Sequence, residues 1–251
     1  MDVEIIVDSL PTLLAATVTT IELFVLAIFF GGCLAIPIAL ARLSRNPLLW
    51  MPAYGYIFFF RGSPLLIQLY LIYYGLGQFD VLKSAFIWPI LREGYWCAVI
   101  AFALNTAAYN AEILRGAIQA VPHGEVEAGR ACGMSGPLLF RRIIAPKALR
   151  LMLPAYSNDT ILTLQATALA SLVTVVDLMG AASNIVNRSF ALFEIFITTG
   201  LMYLTMTYLL EWGFKAVEHR LSGHLRDRPE AAKRAGAPET EPAPAPFPGL
   251  H

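Results

Sequence analysis

Charge is what this sequence has least of. Asp, Glu, Lys and Arg make up 14% of its 251 residues and apolar types 57%, whereas a soluble domain carries about a quarter charged residues. Basic and acidic side chains balance at 18 each, so no net field points to nucleic acid or to an acidic partner. The opening MDVEIIVDSLPTLL holds Asp2, Glu4 and Asp8 and no Lys or Arg. A cleavable signal needs a positive segment before its apolar core, so a retained N-terminus is expected. Cysteine is sparse too: Cys33, Cys97 and Cys132 are odd in number and far apart, which argues against a disulfide frame or a metal site and for small buried hydrophobes. No G-x-x-x-x-G-K-[ST] phosphate loop is present, so neither a nucleotide nor any other cofactor is expected on this chain, nor a catalytic step.

What fills the sequence instead is long apolar runs. A membrane-spanning helix needs about 20 mostly apolar residues, and five stretches qualify: residues 13–41, 52–76, 95–114, 155–176 and 193–214. An all-α integral membrane protein follows. Arg42 and Arg45 flank the first run, Arg115, Arg130, Arg141, Arg142, Lys147 and Arg150 follow the third, and Lys215, Arg220, Arg226 and Arg228 follow the fifth. The alternate connections hold only Lys83, Arg92 and Arg188. The positive-inside rule then places residues 1–11 outside and the C-terminus in the cytoplasm. Residues 221–251 are rich in Pro, Ala and charge without apolar period, and a disordered cytoplasmic tail is expected there.

The inner connection, residues 117–153, is long for a compact protein unless it has a task. In EVEAGRACG, Ala128, Ala131 and Cys132 share one helical face and Glu127 and Arg130 the other. Gly133 suits a left-handed cap, and Ser135 with Pro137 suits the opening of a second helix that turns Leu138, Leu139, Ile143 and Ile144 toward the membrane domain. A small-residue face lets another backbone come close, so the module reads either as a knob for a partner protein's groove or as an amphipathic helix whose arginines meet anionic lipid.

The spacing resembles the EAA loop of the membrane subunits of binding-protein-dependent ABC importers: E-A-A, three residues, G, nine residues, I-x-L-P. Glu127, Ala128 and Gly129 are followed after three residues by Gly133, then after nine by Ile143, Ile144, Ala145 and Pro146. Gly129 replaces the third Ala, a change that loosens a helix by about 0.5 to 1 kcal/mol. FFFRGSPLLIQLYLIYYGL is similar to a segment of the polar amino acid permeases, and the stretch from LRLMLPAYSNDT to VVDLMG is most similar to the M-type subunits of histidine, lysine, arginine, ornithine and opine importers. The likeness spans residues 12–220. It implies the type I ABC importer permease fold in a bacterial inner membrane, with the loop docking on an ATP-binding subunit through Glu127, Ala128, Gly129, Gly133 and Ser135. It further implies a dimer of such subunits carrying ATP and Mg, a second permease subunit, an extracytoplasmic solute-binding protein, and a polar, basic amino acid as cargo. Where many relatives have Lys-x-Thr-Ser this chain has Gln165, Ala166, Thr167 and Ala168; loss of the Lys suits a cationic substrate.

Ionisable and polar residues at bilayer depth need a partner, a cavity or a shallow position. Arg61 would lie deep in an unbroken second span, so a break at Arg61, Gly62, Ser63 and Pro64 is expected, with Ser63 capping the helix that follows. In the third span Asn105, Tyr109 and Glu112 form one stripe; the fourth brings Asn158, Asp159, Gln165, Thr167 and Ser171. These stripes serve either as interhelical hydrogen bonds or as the wall of a substrate path, and Glu112 could instead pair with Arg115. Two rival functions stay open on residues alone: a proton-coupled carrier relaying through Glu22, Glu112 or Asp159, and a non-transporting membrane scaffold.

Overall fold

A computed structural model describes the backbone of residues 3–234 and the side-chain surroundings of residues 4–220. These residues are mostly helical, with no strand among them. In chain order the helices are α1 (Val3–Leu43), α2 (Pro47–Gly62), α3 (Leu65–Tyr70), α4 (Asp80–Lys83), α5 (Trp88–Leu91), α6 (Gly94–Gln119), α7 (His123–Ala131), α8 (Gly136–Leu139), α9 (Ala145–Ala166), α10 (Leu178–Ser189) and α11 (Leu192–Arg234). A π-helical turn, Phe140–Ile144, joins α8 to α9, and a 3-10 segment, Thr167–Val173, extends α9.

Three helices, α1, α6 and α11, are each long and apolar enough to cross a bilayer. Two further spans are bent pairs: α2 turns by 106° into the helix beginning at α3, and the rod from Gly136 to Val173 turns by 50° into α10. The five expected runs are thus present, two of them broken. The frame is a close pairing of α1 with α6. Along α1, Ala27, Gly31, Ala35 and Ala39 recur every fourth residue and are buried. They face Ala101, Ala107, Ala108 and Ala111 of α6, all fully buried. A β-carbon at Gly31 would lie 2.8 Å from Thr106 Cβ. Between helices in lipid, where no hydrophobic drive distinguishes partner from solvent, such small residues supply association through backbone approach.

Residues 3–11 are helical and continuous with the first span, α1 running from Val3 with Pro11 inside it, since propagating a helix costs far less than starting one. Three expectations are corrected here. Residues 167–176 do not continue the fourth span as α-helix; Thr174 is left-handed (φ 66°) and the chain turns into α10, which the sequence reading placed in a connection. Of the proposed tail, residues 221–234 are the end of α11, while 235–251 lie outside the described residues. Cys33 and Cys132 are exposed; only Cys97 is buried, donating to the Leu91 carbonyl.

The turn before α10 is fixed by a buried carboxylate. Asp177, with no exposed surface, caps α10 by accepting from the Gly180 N–H (3.0 Å) and the Met179 N–H (3.4 Å), and it accepts from the Tyr203 hydroxyl of α11 (3.3 Å). Thr20 Oγ1 of α1 accepts from the Leu178 N–H. One loop is thereby tied to two spans. Asp177→Ala removes the cap and one partner of the Tyr203 hydroxyl, and a loss of about 1 to 2 kcal/mol is predicted. The check is a lowered melting temperature of the detergent-purified protein; an unchanged one would discount this tie.

Candidate functional site

Breaking a helix in hydrocarbon exposes carbonyls that no water can reach, so something within the protein must bond them. Gln68 of α3, 3% exposed, does most of this. Its Nε2 donates to the Phe60 carbonyl (2.8 Å), the Ser63 carbonyl (3.0 Å) and Ser63 Oγ (2.9 Å). Asn105 Nδ2 of α6 donates to the same Phe60 carbonyl (3.2 Å) and to Gln68 Oε1 (3.0 Å). Ser63 therefore does not cap the following helix as expected. Its hydroxyl donates back to the Phe59 carbonyl (2.7 Å), closing α2, and Pro64, which has no N–H to offer, opens α3. Gln68 was not among the candidate site residues; the signal was a lone amide among apolar residues, four positions after Pro64.

The break leaves a cavity of about 410 Å³ between α2, α3, α6 and α9. Arg61, Gly62, Ser63 and Pro64 form one side, Asn105 and Tyr109 the floor, and Asp159 the facing wall. Arg61 lies over the Tyr109 ring, its guanidinium carbon 5.1 Å from the centroid. Asp159 is 9% exposed and its Oδ2 has no hydrogen-bond partner. Thr106 and Thr163 add hydroxyls 3.5 Å apart. Neither was singled out from sequence, although Thr163 follows Asp159 by one helical turn. The remaining candidates fall elsewhere. Thr167 is fully buried and bonds the Leu164 carbonyl, and Ser171 bonds the Ala168 carbonyl, both satisfied inside the 3-10 segment. Asn158 and Gln165 are exposed and turned off the cavity. Glu112 is gripped through both carboxylate oxygens by Arg115 and borders a second, smaller cavity. Glu22 sits beside Tyr95 at the opposite end of α6, remote from Asp159.

At the loop, α7 ends in a six-residue cap: Gly133, at φ +78°, donates to the Arg130 carbonyl (2.9 Å), and the Met134 N–H reaches the Gly129 carbonyl (3.1 Å). Ser135 begins α8 by its backbone alone, its carbonyl accepting from the Leu139 N–H (2.8 Å). Gly129 is buried, and a β-carbon there would come within 2.5 Å of Leu139 Cδ1 and 2.7 Å of Ile143 Cδ1. Glycine in place of the third Ala thus serves packing: it lets α7 settle against two bulky neighbours. Leu138, expected on the membrane side, is exposed, because Leu139 takes the inward position. Glu125 pairs with Lys147 at the head of α9, while Val126, Ile144, Ala117 and Ala148 share an apolar cluster. Glu127, Ala128, Ala131 and Cys132 are left exposed. The module is consequently tied to α9, with its small-residue face open.

The family described as the binding-protein-dependent transport system inner membrane component matches residues 27–223. The chain belongs to that family. Among curated relatives, this permease is 49% identical over 209 residues to an octopine transport system permease protein of Rhizobium meliloti (83% of this chain, 85% of the relative). It is 44% identical to a nopaline transport system permease of Agrobacterium fabrum (91% and 95%) and 41% identical to the histidine/lysine/arginine/ornithine transport system permease of Escherichia coli K12 (82% and 87%). Its backbone is similar to that of a crystallised amino acid ABC transporter solved with histidines, with a TM-score of 0.80 and 33% identity, covering 88% of this chain and 99% of that one. A methionine ABC transporter shares the fold at a TM-score of 0.67 and 20% identity, over 83% and 96%. The type I permease fold is thereby shown.

In this permease Gln68→Leu would leave the Ser63 carbonyl without its donor, the Phe60 carbonyl with Asn105 alone, and the Asn105 amide without its Gln68 acceptor. Each orphaned buried group costs about 1 to 3 kcal/mol, so a sharply lowered thermal transition in detergent is predicted, and an unchanged one would mean that the break does not depend on Gln68.

Proposed function

We propose that this permease forms one half of an ATP-driven import path for basic amino acids or opines, delivered by an extracytoplasmic solute-binding protein. A second permease subunit, identical or paralogous, supplies the other half, and a dimer of ATP-binding subunits carrying ATP and Mg engages the inner loops. The chain itself holds no nucleotide and catalyses nothing. It lies in the bacterial inner membrane in contact with lipid, with its N-terminus periplasmic and C-terminus cytoplasmic, as its flanking basic residues favour.

The observation that carries this reading is the exposed, small-residue face of α7, held at the head of the helix that leads to Asp159. Glu127, Ala128, Gly129, Gly133 and Ser135 make up the docking segment: Glu127 offers a charge, Ala128 close approach, Gly129 and Gly133 the packing and the cap, Ser135 the start of the next turn. From there α8, the π turn and α9 run without interruption to Ala166. A displacement of α7 is therefore delivered to the cavity wall, and nucleotide-driven closure shifts the population between two packings of the spans.

The substrate class rests on charge. The Asp159 carboxylate has one oxygen unpaired in a cavity that also holds Arg61, Tyr109, Asn105, Thr106 and Thr163. Such a wall suits a molecule with a carboxylate for Arg61 and a cationic group for Asp159, and a buried charge without a partner is stabilised by the arrival of one. The relatives named for histidine, lysine, arginine and ornithine and for opines agree with this. A proton-coupled carrier would need a relay; Glu112 is occupied by Arg115 and Glu22 lies far from Asp159.

The test uses the assembled transporter in proteoliposomes with its binding protein. Glu127→Arg should abolish substrate-stimulated ATP hydrolysis while the complex still purifies intact. Asp159→Asn should preserve assembly and cut uptake of arginine or lysine at least about tenfold, the worth of one charged contact. ATP-independent uptake by this chain alone, or full coupling in the Glu127 variant, would contradict the proposal.

A further inference from the structure

Arg61 and Gly62 border two cavities, not one. Beside the space facing Asp159 lies a second of about 290 Å³, walled by Arg42, Tyr54, Arg61, Gly62 and Glu112. It sits toward the loop end of the molecule, since Arg42 closes α1 and Glu112 is one turn nearer the loop than Tyr109. Its charges are unevenly spent. Both oxygens of Glu112 are taken by Arg115. Arg42 is stacked at 4.8 Å from the Tyr54 ring centroid and 5.7 Å from that of Trp50. No carboxylate pairs with it among the described residues, and its Nε is buried with no hydrogen-bond partner. Two guanidinium groups thus face one small space whose lining carboxylate, Glu112, is hydrogen-bonded through both oxygens to Arg115 and reaches them by charge across the space alone.

We propose that Arg42 and Arg61 form a second station for the substrate's α-carboxylate, reached after the Asp159 cavity on the way to the cytoplasm. The inference rests on the import function proposed above and adds a second binding site to it. A guanidinium presents two parallel N–H donors to a carboxylate, a grip of fixed geometry. Arg61, on the shared wall, holds the carboxylate while the cationic end faces Asp159. Turning about its side-chain bonds, it passes the carboxylate to Arg42, which the two aromatic rings hold in place. The α-carboxylate is the group that every amino acid of the class carries, so this station is indifferent to the side chain, whereas the Asp159 cavity is selective for it. Transfer between two sites of modest grip also allows release, which one deep site would oppose.

The experiment measures arginine uptake and ATP hydrolysis by the complete transporter in liposomes of phosphatidylcholine alone and of phosphatidylcholine with phosphatidylglycerol. Arg42→Gln should lower kcat about tenfold with KM within twofold of the parent, because loading precedes the station, and should raise the ATP consumed per arginine moved. Arg42→Lys keeps the charge over the rings but loses the two-pronged grip, and an intermediate kcat is expected. If Arg42→Gln fails to assemble, the Lys variant decides: a kcat lowered about threefold supports the station, and an unchanged kcat overturns it. Unchanged uptake and coupling in an assembled Arg42→Gln transporter overturn it as well. So does a defect confined to vesicles with phosphatidylglycerol, which would assign the pair to a lipid phosphate. Failure of the import reading itself looks different: the parent protein would then show no ATP-dependent arginine uptake, or Asp159→Asn would move arginine as the parent does.

Discussion

Inside a bilayer a chain can interrupt a helix only where its own side chains take over the hydrogen bonds that the helix gives up. At Gly62 that duty falls on Gln68 and Asn105, which between them meet the Phe60 carbonyl twice and the Ser63 carbonyl once. Almost everything of functional interest follows from that substitution of amides for helix. The 106° turn is stable, Arg61 and the Ser63–Pro64 step are displaced from the axis, and α6 is pinned to the break by Asn105. The space so opened is polar on one side and is completed by Asp159 from α9.

The far end of α9 shows the complementary device. There α7 closes at Gly133 and is held to α8, the π turn and α9 by packing: Gly129 against Leu139 and Ile143, Glu125 against Lys147, Val126 and Ile144 against Ala117 and Ala148. A broken span and a packed rod therefore meet at one cavity: the rod carries Asp159, and the break on the other side has its carbonyls bonded by Gln68 and Asn105.

Much of this was legible in the residues. Apolar runs gave the five crossings, and the R-G-S-P step announced the break, because Pro64 cannot donate and Arg61 cannot lie in lipid. The spacing from Glu127 through Gly133 to Pro146 located the loop, and Gly133 does take the left-handed cap. What failed was periodicity taken alone. The chain tightens to 3-10 after Ala166, so Thr167 and Ser171 leave the face of Asp159, while Gln165, still within α9, is six residues from Asp159 and off its face. The α10 turn was hidden because its long-range ties run from two adjacent residues, the Leu178 N–H to Thr20 of α1 and the Asp177 carboxylate to Tyr203 of α11, far away in sequence. Ser63 was placed on the wrong helix because a serine before a proline reads as an N-cap, whereas its N–H and hydroxyl both turn back to the Phe59 carbonyl and close α2.

The claim at the centre of this account is that an amino acid crosses the membrane past Arg61 and Asp159. The most direct measurement is thiol accessibility at that wall in the assembled, actively transporting complex. With Cys33, Cys97 and Cys132 replaced by alanine, Leu162→Cys, which borders the cavity, should react with a charged, water-soluble methanethiosulfonate and be protected by arginine. Leu149→Cys, in an apolar groove, should not react. A Leu162→Cys transporter that still imports arginine yet never reacts, or reacts equally with and without arginine, would contradict the path.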